Sequence, residues 1–290
     1  MKTRATEEFP INKFVRAALG ASVCGLLTCC LSCARPAPPV PPPAPTPNAA
    51  PTETPEDSAT PPEANESTAS SPAEATQPEN TVLRHAVFFK FKDESTDEQV
   101  QEVADAFAAL PGKIPEIIDF QWGVNNSPEG IDDGFTHCFL LTFADDAGRA
   151  AYLPHAEHKA FGDVLRPHMD KVFVIDYWGT PTERLDKELK HAVFFKFKDD
   201  AAAEDVKKVE EAFAALPSKI SAIKSFEWGR NNSPEKHDHG FTHCFMVTFD
   251  SEEGRAVYLP HDDHSAFVEL LKPHLDKARV LDFFSAKSAP

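Results

Sequence analysis

The sequence predicts an α+β fold of two tandem ferredoxin-like units, and three observations carry this prediction. First, one stretch of sequence occurs twice: residues 83–178 recur at 189–284, shifted by 106 positions without a gap. Second, a repeat of this length is the size of a small domain and much longer than a solenoid repeat. Third, strand and helix patterns follow one another within each repeat in the order βαββαβ, the order of a ferredoxin-like unit.

The elements of the first repeat follow from periodicity and from capping and stop residues. From His85 onward, apolar side chains alternate between two faces, as in a strand. Asp97 is the expected cap of the first helix, and Pro111 ends that helix. The predicted elements are, in order, a strand at 85–92, a helix at 97–110, strands at 117–124 and 135–143, a helical region at 145–169 broken near Pro154, and a strand at 172–177.

Two such units can solve a packing problem that one unit leaves open. Two helices cover only one face of a four-stranded sheet, so the other face must be buried elsewhere. The short linker at 179–188 lets the free faces of the two sheets press together. We therefore expect an intramolecular dimeric α+β barrel, a monomeric pseudo-dimer whose two domains occupy residues 81–180 and 187–286.

The N-terminal region predicts export. A basic start precedes an apolar stretch at 17–31, which is the length of a signal sequence and short for a membrane span. Cysteines cluster at the end of this stretch, so we expect residues 1–33 to be a lipoprotein signal with Cys30 or Cys33 lipidated. A plain signal peptide and an uncleaved anchor stay open as alternatives. Residues 34–80, rich in Pro, Ala and Glu, are expected to form a disordered linker.

The charge of the chain limits its partners. Lys and Arg total 29 against 46 Asp and Glu, which gives a net charge of −17. Such a surface repels phosphate backbones, so we expect no nucleic-acid partner. The N-terminal signal leads us to expect a lipid-anchored protein on the periplasmic or extracellular face of a cell membrane.

Several motifs, in order, resemble one known family. They are His-x-Val-x-Phe-Lys-Phe-Lys from His85, Trp-Gly-x-Asn-x-Ser from Trp122, Gly-Phe-Thr-His from Gly134, Tyr-Leu-x-His-x-x-His from Tyr152, and Val-x-Asp ending at Asp176. This series resembles the stress-responsive dimeric A/B barrel family, or Dabb domains, over essentially all of both repeats. The resemblance implies a dimeric α+β barrel, whereas membership of a fold family does not fix an activity.

The resemblance also implies candidate site residues. In a plant polyketide cyclase of this family, a Tyr and a His at the positions of Tyr152 and His158 handle proton transfer. Tyr258 and His264 are their counterparts, and these four are the candidate catalytic residues. The candidate ligand-binding residues are His85, His137, His191 and His243. Alternation along the strands points the last four toward the layer between sheet and helices, where they can also be hydrogen-bonded core histidines without a ligand role.

Other reactive side chains give weaker patterns. Cys138 and Cys244 are expected to be buried small apolar residues in the barrel interior, in preference to a disulfide. His155, His158 and His168 lack the partners that would complete a metal site, so no metal is expected. No cofactor is expected either.

These observations lead us to expect a stress-related protein that binds an unidentified small molecule in two similar pockets. Two alternatives stay open. One is an enzyme, either a cyclase or lyase that transfers protons or a small monooxygenase, cofactor-free or haem-using. The other is a purely structural module. Whether the chain is an enzyme is left open by the sequence.

Overall fold

A computed structural model describes residues 77–286 of the chain. The predicted signal, the lipidation candidates Cys30 and Cys33 and most of the predicted linker lie outside these residues. Repeat one contains β1 Val82–Phe91, α1 Asp97–Ala108, β2 Asp119–Val124, β3 His137–Phe143, α2 Asp146–Tyr152, α3 Ala156–Leu165 and β4 Met169–Gly179. Repeat two contains β5 Lys187–Phe197, α4 Ala203–Ala214, β6 Ser225–Arg230, β7 His243–Phe249, α5 Glu252–Tyr258, α6 Asp262–Leu271 and β8 Leu275–Ala286.

The start of the first helix differs from the prediction by one residue. Thr96, not Asp97, is the N-cap: its side chain accepts a hydrogen bond from the backbone N–H of Gln99, whose own side chain accepts one from the Thr96 backbone. This reciprocal pair of hydrogen bonds satisfies two free backbone N–H groups, whereas a single Asp97 carboxylate would satisfy one. This difference explains why the helix is capped by Thr96. The helix ends at Ala108, and a 3₁₀ turn at Leu110–Gly112 contains the predicted stop residue Pro111.

The predicted order of elements is confirmed in both repeats. Each repeat forms a four-stranded antiparallel sheet, with strand orders β2-β3-β1-β4 and β6-β7-β5-β8. The predicted helical break near Pro154 separates α2 from α3. Within residues 77–286 no helix is long and apolar enough to cross a membrane.

The buried apolar side chains form one core under the helices of each repeat and a third core between the two sheets. The third core is shared, and its members from both repeats are Ala86, Phe88, Phe135, Cys138, Leu140, Phe173, Ile175, Tyr177, Ala192, Phe194, Phe241, Cys244, Met246, Leu281 and Phe283. The sheet faces that helices leave bare thus cover each other. This confirms the intramolecular dimeric barrel.

The sheet edges also meet, β2 beside β8 and β4 beside β6. At both edges the backbone of one repeat comes so close to the other repeat that only glycine fits. A Cβ at Gly123 would lie 2.6 Å from the backbone oxygen of Phe284, and a Cβ at Gly229 would lie 2.8 Å from Cβ of Tyr177. Neither neighbouring atom is the far end of a flexible side chain. A larger residue at either glycine would therefore push the two sheets apart at that edge.

The shared core holds charged pairs that differ between its two halves. Arg279, 3% exposed, stacks on Phe135, Phe173 and Phe241 and pairs with Asp133 at 2.6 Å. In the other half, Arg84 pairs with Glu227 at 3.0 Å, and Glu227 also accepts a hydrogen bond from the Tyr177 hydroxyl at 2.9 Å. Each pair joins one residue of repeat one to one of repeat two. The interface is therefore complementary between the two different repeats.

Candidate functional site

Each repeat receives a loop from the other repeat, and this exchange builds the sites. The loop after β6 crosses to the closing strand of repeat one. There the Asn232 backbone donates to the Asp176 oxygen at 2.9 Å, and the Asn231 side chain accepts from the Asp176 N–H at 3.1 Å. Further along, Val174 donates to the oxygen of His237 at 3.1 Å. The side chains of 235 and 237 are thereby placed against repeat one.

A cavity of about 190 Å³ lies between the sheet and the helices of repeat one. An apolar cavity of somewhat smaller volume can hold benzene, so this one has room for a small organic molecule. Most of its lining is apolar, with several polar groups that converge on it. The lining residues are His85, Val87, Phe89, Tyr152, His158, Phe161, Gly162, Leu165, Arg166, Met169, Val172 and Val174 of repeat one, with Glu235 and His237 of repeat two.

Tyr152 and His158 form the centre of the site. Pro154 breaks the helix between them, and their rings lie 4.2 Å apart, centroid to centroid. Tyr152 is fully buried, and no group of residues 77–286 forms a hydrogen bond with its hydroxyl. Burial, together with the charges of Glu235 and Asp176, raises the pKa of Tyr152 well above its usual value. The hydroxyl is therefore protonated and free to donate to a ligand.

The hydrogen bonds of His158 fix its tautomer. Its Nδ1 lies 3.0 Å from the backbone oxygen of Leu153, and because a carbonyl can only accept, Nδ1 carries the proton. Burial lowers the pKa of His158 more than this bond raises it, so the ring is neutral at neutral pH. Nε2 then has a free lone pair and no hydrogen-bond partner among the described residues. A neutral imidazole of this kind can accept a proton from a ligand.

His85 is held by a buried hydrogen bond to a carboxylate. Its Nδ1 lies 2.7 Å from Oδ1 of Asp176, directly opposite on the neighbouring strand, and Arg149 donates to Oδ2 of the same carboxylate at 2.7 Å. Burial would lower the pKa of His85, but the charge and the hydrogen bond of Asp176 outweigh it, and the pKa is raised. Asp176 thus fixes the His85 ring beside the Tyr152 ring, 5.6 Å away.

Three side chains of this site have the right types for a metal. Ligand atoms of His85, Asp176 and Glu235 all lie within 4.8 Å of one another. However, both oxygens of Asp176 already accept short hydrogen bonds, one of them from the cationic Arg149. A metal would have to displace these bonds, so the group fits a hydrogen-bonded support for the site better than a metal centre.

Repeat two contains the same constellation. His191 lies 2.7 Å from Asp282, Arg255 pairs with Asp282 at 2.6 Å, and the rings of Tyr258 and His264 are 4.3 Å apart. The loop after β2 supplies Glu129 and Ile131 in the places of Glu235 and His237. The structure thus brings together six of the eight sequence-predicted residues, three in each repeat.

The structure does not bring the other two to the sites. His137 pairs across the sheet with Phe89, four positions along β1 from His85, and packs edge-on against Phe91 at 5.0 Å. Its counterpart His243 lies 2.8 Å from Oε1 of Glu210. Both face the helices, as alternation predicts, but four positions along a strand separate them by about 13 Å from His85 and His191.

The remaining candidates have ordinary structural roles. Cys138 and Cys244 are free thiols buried between the sheets. His155 caps α3 by accepting from the Glu157 N–H, and Nδ1 of His168 lies 3.5 Å from the Ser95 hydroxyl.

Four kinds of site residue were missed by the sequence reasoning, and three carried a signal. Asp176, Arg149 and Glu235 each recur in the other repeat, as Asp282, Arg255 and Glu129. An aspartate inside an otherwise apolar closing strand, repeated in both copies, indicates a buried partner. His237, with Ile131 at its counterpart, carried no such signal, because only the fold shows that its loop crosses to the other repeat.

Comparisons with known proteins agree with this architecture. The family model for the stress responsive A/B barrel domain, Dabb, matches residues 83–179 and 189–285. Stress-response A/B barrel domain-containing protein HS1 from Arabidopsis thaliana is 35% identical over 95 residues, 33% of this chain and 87% of that protein. Olivetolic acid cyclase from Cannabis sativa is 33% identical over 95 residues, 33% of this chain and 94% of that protein.

Some solved structures match a stretch as long as both repeats together. One of them, an anthrone oxidase-like protein, matches 72% of this chain and 92% of its own, with a TM-score of 0.51 and 8% identity. At this identity the match shows a shared fold and nothing about activity.

Proposed function

The chain belongs to the stress responsive A/B barrel domain family, with two domains in tandem, and on that premise we propose that its repeat-one cavity binds a small, mainly apolar carbonyl compound and transfers a proton next to the carbonyl. One observation carries this proposal. A neutral histidine with a free Nε2 and a buried tyrosine with an unpartnered hydroxyl stack against each other in the cavity wall. Base and donor are the two groups that such a proton transfer needs.

The residues divide the step between them. Nε2 of His158 takes the proton from the carbon beside the carbonyl, and the electron pair of the broken C–H bond moves into the enolate. The Tyr152 hydroxyl donates a hydrogen bond to the enolate oxygen and stabilises its charge. The resulting imidazolium returns the proton to carbon, so the site is restored without an oxidant or reductant. His85, held by Asp176, fixes the wall of the cavity beside the Tyr152 ring.

Two further facts support this class of chemistry. The relative olivetolic acid cyclase is a cyclase, and a stretch of this chain as long as one repeat aligns with 94% of its length. The fully buried Tyr152 hydroxyl has no partner among the described residues, which costs about 1–3 kcal/mol. A ligand oxygen beside Tyr152 removes that cost.

Phenylacetone tests the proposal, because its benzylic protons lie beside a carbonyl and it is small enough for the cavity. The full chain in D₂O should accelerate loss of the benzylic proton signal in ¹H NMR. His158→Gln keeps the volume of the side chain and removes the base, so the rate should fall at least about tenfold. His168→Gln, a histidine of the same repeat outside the cavity, is the matched control and should retain the rate. Exchange no faster than in buffer, or equal rates for His158→Gln and wild type, would rule the proposal out.

We also propose that the chain is exported and anchored by a lipid on Cys30 or Cys33. The support is the apolar stretch at 17–31 followed by the cysteine cluster. Replacing Cys30 and Cys33 together by Ser should move the protein from the membrane to the soluble fraction, whereas Cys24→Ser should not. A double variant that stays in the membrane fraction would point to an uncleaved hydrophobic anchor.

A further inference from the structure

The two exchanged loops have the same backbone path but differ in the side chain that they present. Gly130 and its counterpart Lys236 both adopt positive φ, 66° and 61°. Ile131 and His237 each accept a hydrogen bond from the closing strand of the opposite repeat, at 3.2 and 3.1 Å. The two loops thus make equivalent backbone contacts, and at this position they differ in the side chain, Ile131 in one and His237 in the other.

These two side chains meet the opposite repeat in different ways. His237 lines the repeat-one cavity together with Glu235, next to Tyr152 and His158. Ile131 instead packs against the apolar core of repeat two, which includes Tyr258 and Val280. An isoleucine in this position removes apolar surface from water and occupies space that would otherwise admit a ligand.

The side chains around the repeat-two site also indicate that it is covered. Burial lowers the pKa of His264 to about 4. The hydroxyl of Tyr258 is buried without a hydrogen-bond partner among the described residues, and the apolar side chain of Ile131, which packs against the same core, cannot supply one. Repeat two therefore keeps the machinery of a site under an apolar cover.

We propose that the residue at position 131 or 237 decides whether the opposite repeat has an accessible site: His237 leaves the repeat-one cavity open and polar, and Ile131 closes the corresponding space in repeat two. The histidines and tyrosines of the two sites are nearly the same, which suggests two equal sites. The exchanged loops make the two sites unequal in their access to a ligand. This inference rests on the proposed function only for the identity of the ligand, not for the closure itself.

Diethyl pyrocarbonate tests the closure without knowledge of the ligand. This small reagent acylates the free nitrogen of neutral histidines, and both His158 and His264 offer Nε2 while Nδ1 faces a carbonyl. Peptide mapping of the treated full chain by mass spectrometry gives both rates in one sample. We expect His158 to react at least about tenfold faster than His264, because the proposed closure by Ile131 slows the approach of the reagent to Nε2 of His264.

Variants of the loops give the decisive comparison. Ile131→Ala should raise the rate at His264 until it approaches that of His158, and Ile131→His, which copies the other loop, should do the same. His237→Ile should slow the reaction at His158. Ile118→Ala, in which an isoleucine that is 56% exposed is shortened outside the sites, is the control and should change neither rate. Equal rates in the wild type, or no increase at His264 in both Ile131 variants, would overturn the inference.

The same variants separate this inference from the proposed function. If phenylacetone exchange is absent while the acylation rates behave as expected, the proton-transfer proposal fails and the closure stands. If exchange is present, His158→Gln combined with Ile131→His should recover activity that His158→Gln alone has lost, because Tyr258 and His264 become accessible. Failure to recover exchange in a double variant whose His264 is acylated rapidly would show that opening alone does not make a second working site.

Discussion

At the scale of single residues, the histidines of each site respond to burial in opposite ways. His85 and His191 have a carboxylate partner and a raised pKa, whereas His158 and His264 face a carbonyl and have a lowered one. The difference arises from the partner, because burial disfavours the charged form in all four. Two imidazoles whose pKa values are shifted in opposite directions are thus held in one site.

This difference predicts a pH dependence of stability for His264. Its pKa falls from 6.5 in the unfolded chain to about 4 in the folded one, so between these values the unfolded chain binds more protons. Stability that is present above pH 6.5 is therefore lost as the pH falls toward 4. In His264→Gln this loss is absent, and the variant should gain roughly 2–3 kcal/mol relative to wild type between pH 7 and pH 4.

Urea unfolding of both proteins at several pH values measures this change. The raised pKa of His191 acts with the opposite sign but is present in both proteins, so it cancels in the comparison. A free-energy difference between variant and wild type that stays constant from pH 7 to 4 would show that His264 titrates normally in the folded chain.

At the scale of elements, the helix starts show how local sequence acts independently of the shared fold. Thr96 caps α1 through a capping box, but its counterpart in repeat two is Ala202, which has no side chain that can cap α4. Equivalent helices of one fold thus begin with and without a cap. The periodicity of the chain predicts both helices, and only the residue before each start determines the cap.

Complementary substitutions are expected to change stability in opposite directions. Thr96→Ala should destabilise the protein by about 1 kcal/mol, and Ala202→Thr should stabilise it by somewhat less, because α4 lacks the Gln that completes a capping box. Thermal unfolding of both variants and of the combined variant measures the effects, which should add since the sites are far apart. A stabilising Thr96→Ala would contradict the assignment of the cap.

The sequence predicts the elements well and the loops poorly, for a physical reason. Strand alternation, stop residues and the exact repeat are local signals, so the order βαββαβ and the face of His85 could be derived from them. The path of the loop that carries His237 depends on the packing of two sheets, which no local pattern encodes. His137 shows the same limit, because alternation gives its face but not its distance from His85 along the sheet.

At the scale of the whole molecule, the charged pairs between the sheets predict which repeats can pair. If repeat one paired with a second copy of itself, Gln121 would replace Glu227 opposite Arg84, and Phe173 would replace Arg279 opposite Asp133. Arg84 would then be a buried charge without a carboxylate partner, and in a pair of two second repeats the buried Arg279 would face His239 in place of Asp133. A buried charge that loses its partner is strongly destabilising. The two repeats should therefore prefer each other to themselves.

Separate expression of residues 81–180 and 187–290 tests this preference. Each repeat alone exposes its inner sheet face and should self-associate, and mixing should convert both into a one-to-one complex visible by native mass spectrometry. Asp133→Asn in repeat one should weaken that complex, because Arg279 loses its carboxylate. Stable monomers of either repeat, or homodimers that persist after mixing, would contradict the complementary interface.

The proposed function places a small molecule in the repeat-one cavity, against side chains from both repeats. The most direct test is titration of the full chain, labelled with ¹⁵N-histidine, with phenylacetone while the imidazole signals are followed by NMR. The ring signals of His85, His158 and His237 should shift together along one binding curve, and those of His155 and His168 should stay unchanged. Cavity histidines that do not respond, or equal shifts at histidines outside the cavity, would contradict the account.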